Sequence, residues 1–344
     1  MARRAVLAAA CGAAMVCGPA ALAQSPGDFY AGKTVRIVIG TAVGGEYGLY
    51  AQLIAQHIGR FVPGSPTVIV QSMPGAAGVT AMRYMANAAP RDGTALIVPQ
   101  VSIAQVGLLD PNAQFDPGKF QWIGRMTTQV QAGIVSSKSG ARSLADAKTR
   151  ELTAGGVGTS NPTTLNPRIL NALAGTKFKI VTGYKGTAAV MIAWERGEVD
   201  VLTTSWDMIS ARYDDKLKSG QAIPLYVYAL KRPAELPNVP LMTDFGRTET
   251  ERAFLQIYGI GAEIGRSLAA PPGMPKERLD IWRVALMKMF DDPQFKAAVR
   301  KGNIRLDPLN GASMAESITK VMTLSPETVA TARKFYEGLL AGDR

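Results

Sequence analysis

Short apolar runs alternate with longer amphipathic ones through the first two thirds of the chain. Thr34-Val-Arg-Ile-Val-Ile39 is a β-branched run closed by Gly40 and the turn-rich Thr41-Ala-Val-Gly-Gly45. From Glu46 the period changes. Tyr50, Leu53, Ile54, Ile58 and Phe61 fall on one face of a helix. Pro63-Gly64-Ser65-Pro66 stops that helix, and Thr67-Val-Ile-Val-Gln71 reads as a second strand. Met73-Pro-Gly-Ala-Ala-Gly78 leads into a helix over 79–88, and Asp92-Gly93 turns the chain into a strand over 94–98. Further strands are predicted at 121–126, 151–155, 177–182, 199–204 and 225–229, with helices near 143–148, 162–174, 187–196 and 207–213. This alternation implies an α/β fold built from βαβ units around a parallel sheet. After Leu230 the character changes, and Pro-rich loops separate helices at about 247–257, 275–290, 293–301, 312–323 and 326–340. The C-terminal region is helix-rich.

The N-terminus has a different pattern. Arg3 and Arg4 precede an apolar stretch from Ala5 to Val16, and small residues end at Ala21-Leu-Ala-Gln24. That is a secretory signal peptide, 1–23, with cleavage after Ala23. Twelve apolar residues are too few to span a hydrocarbon core of about 30 Å. Lipidation at Cys17 is the alternative, although Val16 suits it poorly, and the paired arginines match a twin-arginine signal weakly. Cleavage removes both cysteines, Cys11 and Cys17, and lowers the net charge from +11 to +9. The expected location is the periplasm.

Composition mainly excludes. A chain of 344 residues suits about two domains of ~100–200 residues each. Without cysteines in the body of the chain, and with His57 as the single histidine, thiol catalysis, zinc fingers, iron–sulfur clusters and multi-His metal sites lack ligands. No metal or cofactor is expected. A Ser-His-Asp triad could be built only on His57, which sits on or beside an apolar helix stripe and reads as structural. The lysines and arginines are scattered rather than clustered with aromatics, so they describe a solvated surface and not a nucleic-acid site. No G-x-x-x-x-G-K-[ST] motif occurs.

What remains is backbone chemistry. Four glycine loops each follow a strand and precede a helix: Thr41–Tyr47, Ser72–Gly78, Gly155–Pro162 and Thr182–Thr187. Glycine lets the backbone approach a ligand closely, and the next helix offers unpaired N–H groups suited to a carboxylate or phosphate. Asp207, after the strand over 199–204, is either a capping or first-turn charge or a partner for a ligand hydroxyl or ammonium.

An ordered set of motifs adds a resemblance. Thr34-Val-Arg-Ile-Val-Ile-Gly40 with Gly44-Gly45, Val70-Gln-Ser-Met-Pro-Gly-Ala-Ala-Gly78 and Ala89-Pro-Arg-Asp-Gly-Thr94 come first. Phe120-Gln-Trp-Ile-Gly124, Gly183-Tyr-Lys-Gly186, Glu195-Arg-Gly-Glu-Val-Asp200, Ala270-Pro-Pro-Gly-Met-Pro275 and Asp291-Asp-Pro-Gln-Phe295 follow. The set resembles Bug-type receptors, the periplasmic solute-binding proteins of tripartite tricarboxylate transporters. The resemblance implies a two-lobed periplasmic binding protein (Venus flytrap) with two crossovers, one lobe from 24–99 plus 230–344 and the other from 100–229. It also implies a monomer that is not an enzyme, binds a small carboxylate and delivers it to membrane permease subunits. Presenting ligand to a membrane sensor kinase is the alternative. By motif, the implied contacts are Val43, Gly44, Gly45, Glu46, Tyr47, Pro74, Gly75 and Ala76 from one lobe. Gly158, Thr159, Ser160, Lys185, Gly186 and Asp207 would come from the other. Two positions depart from the common pattern: Glu46-Tyr47 stand where Ser/Thr-Asp is usual, and Ser72 where Asn is usual. A carboxylate at Glu46 would repel an anionic ligand unless it points away.

Overall fold

The computed structural model describes residues 29–110, 112–158, 161–302 and 304–341. The predicted signal peptide, with its cleavage site, lies outside the described residues, as do Thr159 and Ser160.

The chain begins β1 (Thr34–Ile39), α1 (Glu46–Ile58), β2 (Thr67–Ser72), α2 (Val79–Asn87), β3 (Ala95–Val98), α3 (Ile103–Leu109) and β4 (Gln121–Thr127). It continues β5 (Gln131–Ser136), α4 (Asp146–Thr149), β6 (Leu152–Gly155), α5 (Pro162–Ala174), β7 (Phe178–Val181), α6 (Thr187–Arg196), β8 (Val201–Ser205), α7 (Trp206–Lys218) and β9 (Ala222–Tyr228). The last third holds α8 (Glu249–Ile264), β10 (Arg266–Ala270), α9 (Lys276–Asp291), α10 (Pro293–Lys301), β11 (Leu309–Asn310), α11 (Gly311–Met322) and α12 (Pro326–Ala341).

These strands build two sheets, ordered β11-β4-β10-β3-β1-β2 and β7-β6-β8-β5-β9. In the first, β1 pairs in parallel with both β2 and β3, so that Ile37 lies opposite Val70 on one side and Leu96 on the other. The expectation of a parallel sheet holds only for part of each sheet. β10 runs antiparallel to β3 and β4, and β5 runs antiparallel to β8 and β9. None of β5, β10 and β11 was predicted, and with β11 antiparallel to β4 these three strands account for the mixed pairing.

Sheet membership also moves a boundary. Residues 100–127 were expected with the second lobe, yet β4 pairs with β10 and belongs to the first sheet. β10 covers the edge left free by β3, and β4 in turn covers the outer edge of β10. The chain therefore passes between sheets at 128–130, immediately before β5.

Apolar packing binds the layers. On one face of the first sheet Ile37, Ile39, Ile54, Ile58, Trp282 and Phe295 form a cluster beneath α1, α9 and α10. On the other face a second cluster continues without a break into the second sheet. Phe254 and Tyr258 of α8 and Leu339 of α12 share it with Leu165, Ile169 and Leu170 of α5. Polar contacts follow the same seam: Tyr258 Oη donates to Asn166 Oδ1 at 2.7 Å, and Arg168 Nη1 donates to the Leu339 carbonyl at 3.0 Å.

A candidate ligand site between the two sheets

Five helix starts divide by how their free N–H groups are met. α5 is capped by Asn161, which accepts from the Thr163 N–H, and α7 by Ser205, which accepts from the Met208 N–H. α1, α2 and α6 begin on Gly45, Gly78 and Gly186, and none of these has a side-chain cap. The uncapped starts follow three of the four predicted glycine loops. The loop 155–162 ends instead in a satisfied cap. The starts of α1 and α6 keep first-turn amides and the positive end of the helix dipole available, whereas at α2 the short 3-10 turn Ala76–Gly78 leads in and the Val79 N–H donates to the Ala76 carbonyl.

The first two loops are packed together. A Cβ on Gly40 would lie 2.5 Å from Gly78 Cα, so only glycine allows the end of β1 to touch the start of α2. Ser72 Oγ donates to the Thr41 carbonyl at 2.7 Å, so the departure from Asn at this position ties the two loops directly. Within the first loop a Cβ on Gly48 would fall 1.8 Å from the Val43 carbonyl oxygen. Gly44, Gly45, Glu46, Pro74, Gly75 and Ala76 are exposed, Val43 and Tyr47 are half-buried, and Gly75 and Ala76 both have positive φ. Tyr47 Oη accepts from the Val101 N–H at 3.1 Å.

Charges join the two sheets at this edge. Asp207, in the first turn of α7, faces Arg305 with Oδ1 3.3 Å from Nε. Because Ser205 caps α7, Asp207 is not the cap. Arg305 also reaches Glu235 at 3.3 Å and donates to Thr128 Oγ1 at 2.7 Å. Burial pushes the Asp207 carboxyl above the ordinary carboxylate range, Arg305 and Arg266 pull it back, and Glu46 and Glu235 push it further. Arg305 donates to Thr128 and Arg266 to the adjacent Gln129, so the segment between β4 and β5 joins the Asp207–Arg305 pair to the Glu46–Arg266 pair.

Arg266 completes the cluster. It opens β10 and is 1% exposed. Its Nη2 lies 2.6 Å from Glu46 Oε1, its Nη1 donates to Gln129 Oε1 at 2.6 Å, and its guanidinium sits 4.2 Å from the Tyr47 ring centroid. Tyr50 packs on the same guanidinium at 5.3 Å, and burial pushes its hydroxyl up to about 12. Neither Arg266 nor Arg305 was predicted. An arginine inside the small-residue run Gly265-Arg-Ser-Leu-Ala-Ala270 was the one local signal.

The other predicted residues lie on the second lobe. Gly158 is half-buried, Lys185 is exposed, and Gly186 precedes α6. Among the described residues no hydrogen bond or ion pair joins these three to the Glu46–Arg266 cluster. His57 lies apart, with its ring edge-on to Phe295 at 5.6 Å between α1 and α10, and burial lowers its pKa. Among the described residues no group of His, Cys, Asp and Glu could hold a metal ion, and no helix is long and apolar enough to cross a membrane.

Residues 61–326 match the model of the tripartite tricarboxylate transporter family receptors. The chain belongs to this family. Its members are periplasmic solute-binding proteins, not enzymes. A UPF0065 protein from the TAR-I ttuE-ttuC' intergenic region of Agrobacterium vitis is 27% identical over 65% of the chain, a match spanning 64% of that relative's length. A UPF0065 protein from the gbd 5' region of Cupriavidus necator is 25% identical over 92% of the chain and 90% of its own length. Among solved structures, a TctC solute-binding protein from Polaromonas superposes with a TM-score of 0.65 at 17% identity, covering 91% of this chain and 99% of that one. MatC from Rhodopseudomonas palustris, solved with bound malate, gives 0.56 at 18% identity over 90% of this chain and 99% of that one. These likenesses establish the two-lobed receptor fold.

Proposed function

We propose that this receptor captures a small organic carboxylate between its two lobes and delivers it to the membrane subunits of a tripartite transporter. One observation carries the reading. The open start of α1 and the 3-10 turn that leads into α2 adjoin at the end of β1, and Asp207 is linked to the same edge through Arg305, Thr128, Gln129 and Arg266. Free first-turn amides attract a carboxylate, and the opposing acid offers an acceptor to a hydroxyl or ammonium on the same ligand. The malate found in a structural neighbour has both kinds of group. Closure of the lobes follows from the extra contacts that ligand makes with both at once. The predicted contacts in the loops 43–47, 74–76, 158–160 and 185–186 are part of this proposal.

A thermal-shift screen tests it. Mono-, di- and tricarboxylates, aromatic acids and amino acids are compared with neutral solutes of similar size. A ligand at 100 times its Kd stabilises the folded state by about 2.7 kcal/mol. Stabilisation by carboxylates and not by neutral solutes is expected, and the reverse pattern overturns the reading.

A further inference from the structure

Arg266 is held from several sides and unsatisfied on one. Gln129 accepts from Nη1 at 2.6 Å, and Tyr47 and Tyr50 pack on the guanidinium at 4.2 and 5.3 Å. The remaining edge, Nε with Nη2, has no aligned hydrogen bond although both atoms are buried. Glu46 Oε1 approaches Nη2 to 2.6 Å but not along an N–H direction, and it leaves Nε without a partner. The Nε–Nη2 edge is one that a carboxylate grips with two parallel hydrogen bonds. A buried cation with that edge unfilled is costly, because an unpaired buried donor loses its hydration for nothing in return.

Glu46 itself lies at the surface. Its side chain is 45% exposed, and it projects from the first turn of α1, next to the exposed Gly44 and Gly45. A rotamer change takes the carboxylate into water and uncovers the arginine beneath.

Resting on the carboxylate reading above, we infer that Glu46 is an internal carboxylate seated on Arg266, and that the ligand's carboxylate displaces it to dock on Nε and Nη2. The exchange replaces one negative charge by another, so Asp207 and Arg305 keep the field they already experience. Glu46 then sets specificity. Only a ligand acid that aligns with both N–H groups outcompetes a tethered side chain that aligns with neither. The repulsion expected from a carboxylate in this loop becomes a threshold that weak anions do not cross.

The test compares the wild-type protein with Glu46→Gln by isothermal titration of malate and adipate, with the uncharged diamide of malate as control. Glu46→Gln removes the competing charge at an exposed position, and carboxylates bind it about tenfold more tightly while the diamide is unaffected. In an Arg266→Lys background, checked for folding by its melting curve, the gain from Glu46→Gln falls below about threefold because lysine lacks the two-pronged edge. Equal or weaker carboxylate binding by a folded Glu46→Gln overturns the inference and leaves the carboxylate reading intact. If malate, adipate and the rest of the acid panel bind neither protein, the carboxylate reading itself is lost.

Discussion

Asp207 Oδ1 lies 3.3 Å from Arg305 Nε, so the first turn of α7 in one lobe is joined to the segment before β11 in the other. The same guanidinium also touches Thr128, where the chain passes from β4 to β5, and Glu235, in the segment after β9. One arginine thus ties the passage from β4 to β5, the segment after β9 and the first turn of α7 together.

Stability should depend on pH through Asp207. Burial raises its pKa above the ordinary aspartate value of about 4, despite Arg305. The folded chain therefore keeps this proton at pH values where the unfolded chain has lost it, and its contribution to stability declines as pH rises through that window. Melting temperatures of wild type and Asp207→Asn, measured from pH 4 to 7, should diverge in favour of the variant as pH increases. A difference that shrinks over the same range contradicts the assignment.

The glycines of the first loop are not equivalent. A Cβ at Gly48 meets the Val43 carbonyl at 1.8 Å, whereas one at Gly44 meets nothing within 4 Å. Gly48→Ala should cost about 1–3 kcal/mol through overpacking. Gly44→Ala should stay within about 0.5 kcal/mol of wild type, as surface changes do. Urea unfolding of the two variants checks the contrast, and equal midpoints refute it.

The seam opposite the ligand site rests on Tyr258. Its hydroxyl donates to Asn166 Oδ1 at 2.7 Å, Asn166 is fully buried, and the Asn166 amide nitrogen already has no partner. Tyr258→Phe leaves that oxygen unsatisfied as well and should cost about 1–3 kcal/mol. Chemical denaturation measures it, and a loss under about 0.5 kcal/mol shows that the seam is held by apolar packing alone.

Elements with local signals were legible from sequence. α10 runs over Pro293–Lys301 as predicted, because Asp292 caps it and Pro293 occupies its first turn. β10 escaped because Arg266 and Ser267 interrupt its apolar character, and both are buried only through pairing and packing with distant segments. β5 escaped because Gly133 weakens its pattern; that glycine is required by the Tyr226 ring, which a Cβ would meet at 2.2 Å. The site divides in the same way. Glycine loops are local and were found, whereas Arg266 and Arg305 reach Glu46 and Asp207 from far along the chain and carry no motif. Asn161 shows the opposite limit, since the cap that fills the loop before α5 became apparent only when its side chain was placed.

The central claim is that free helix-start amides hold a ligand carboxylate, and backbone amide NMR during a malate titration tests it most directly. The predicted result is saturable shifts at the Glu46, Tyr47 and Ala76 amides, at the open starts of α1 and of the short 3-10 turn before α2, with the capped amides of Thr163 and Met208 unmoved. Shifts at the capped amides alone, or none at any of the five, would contradict it.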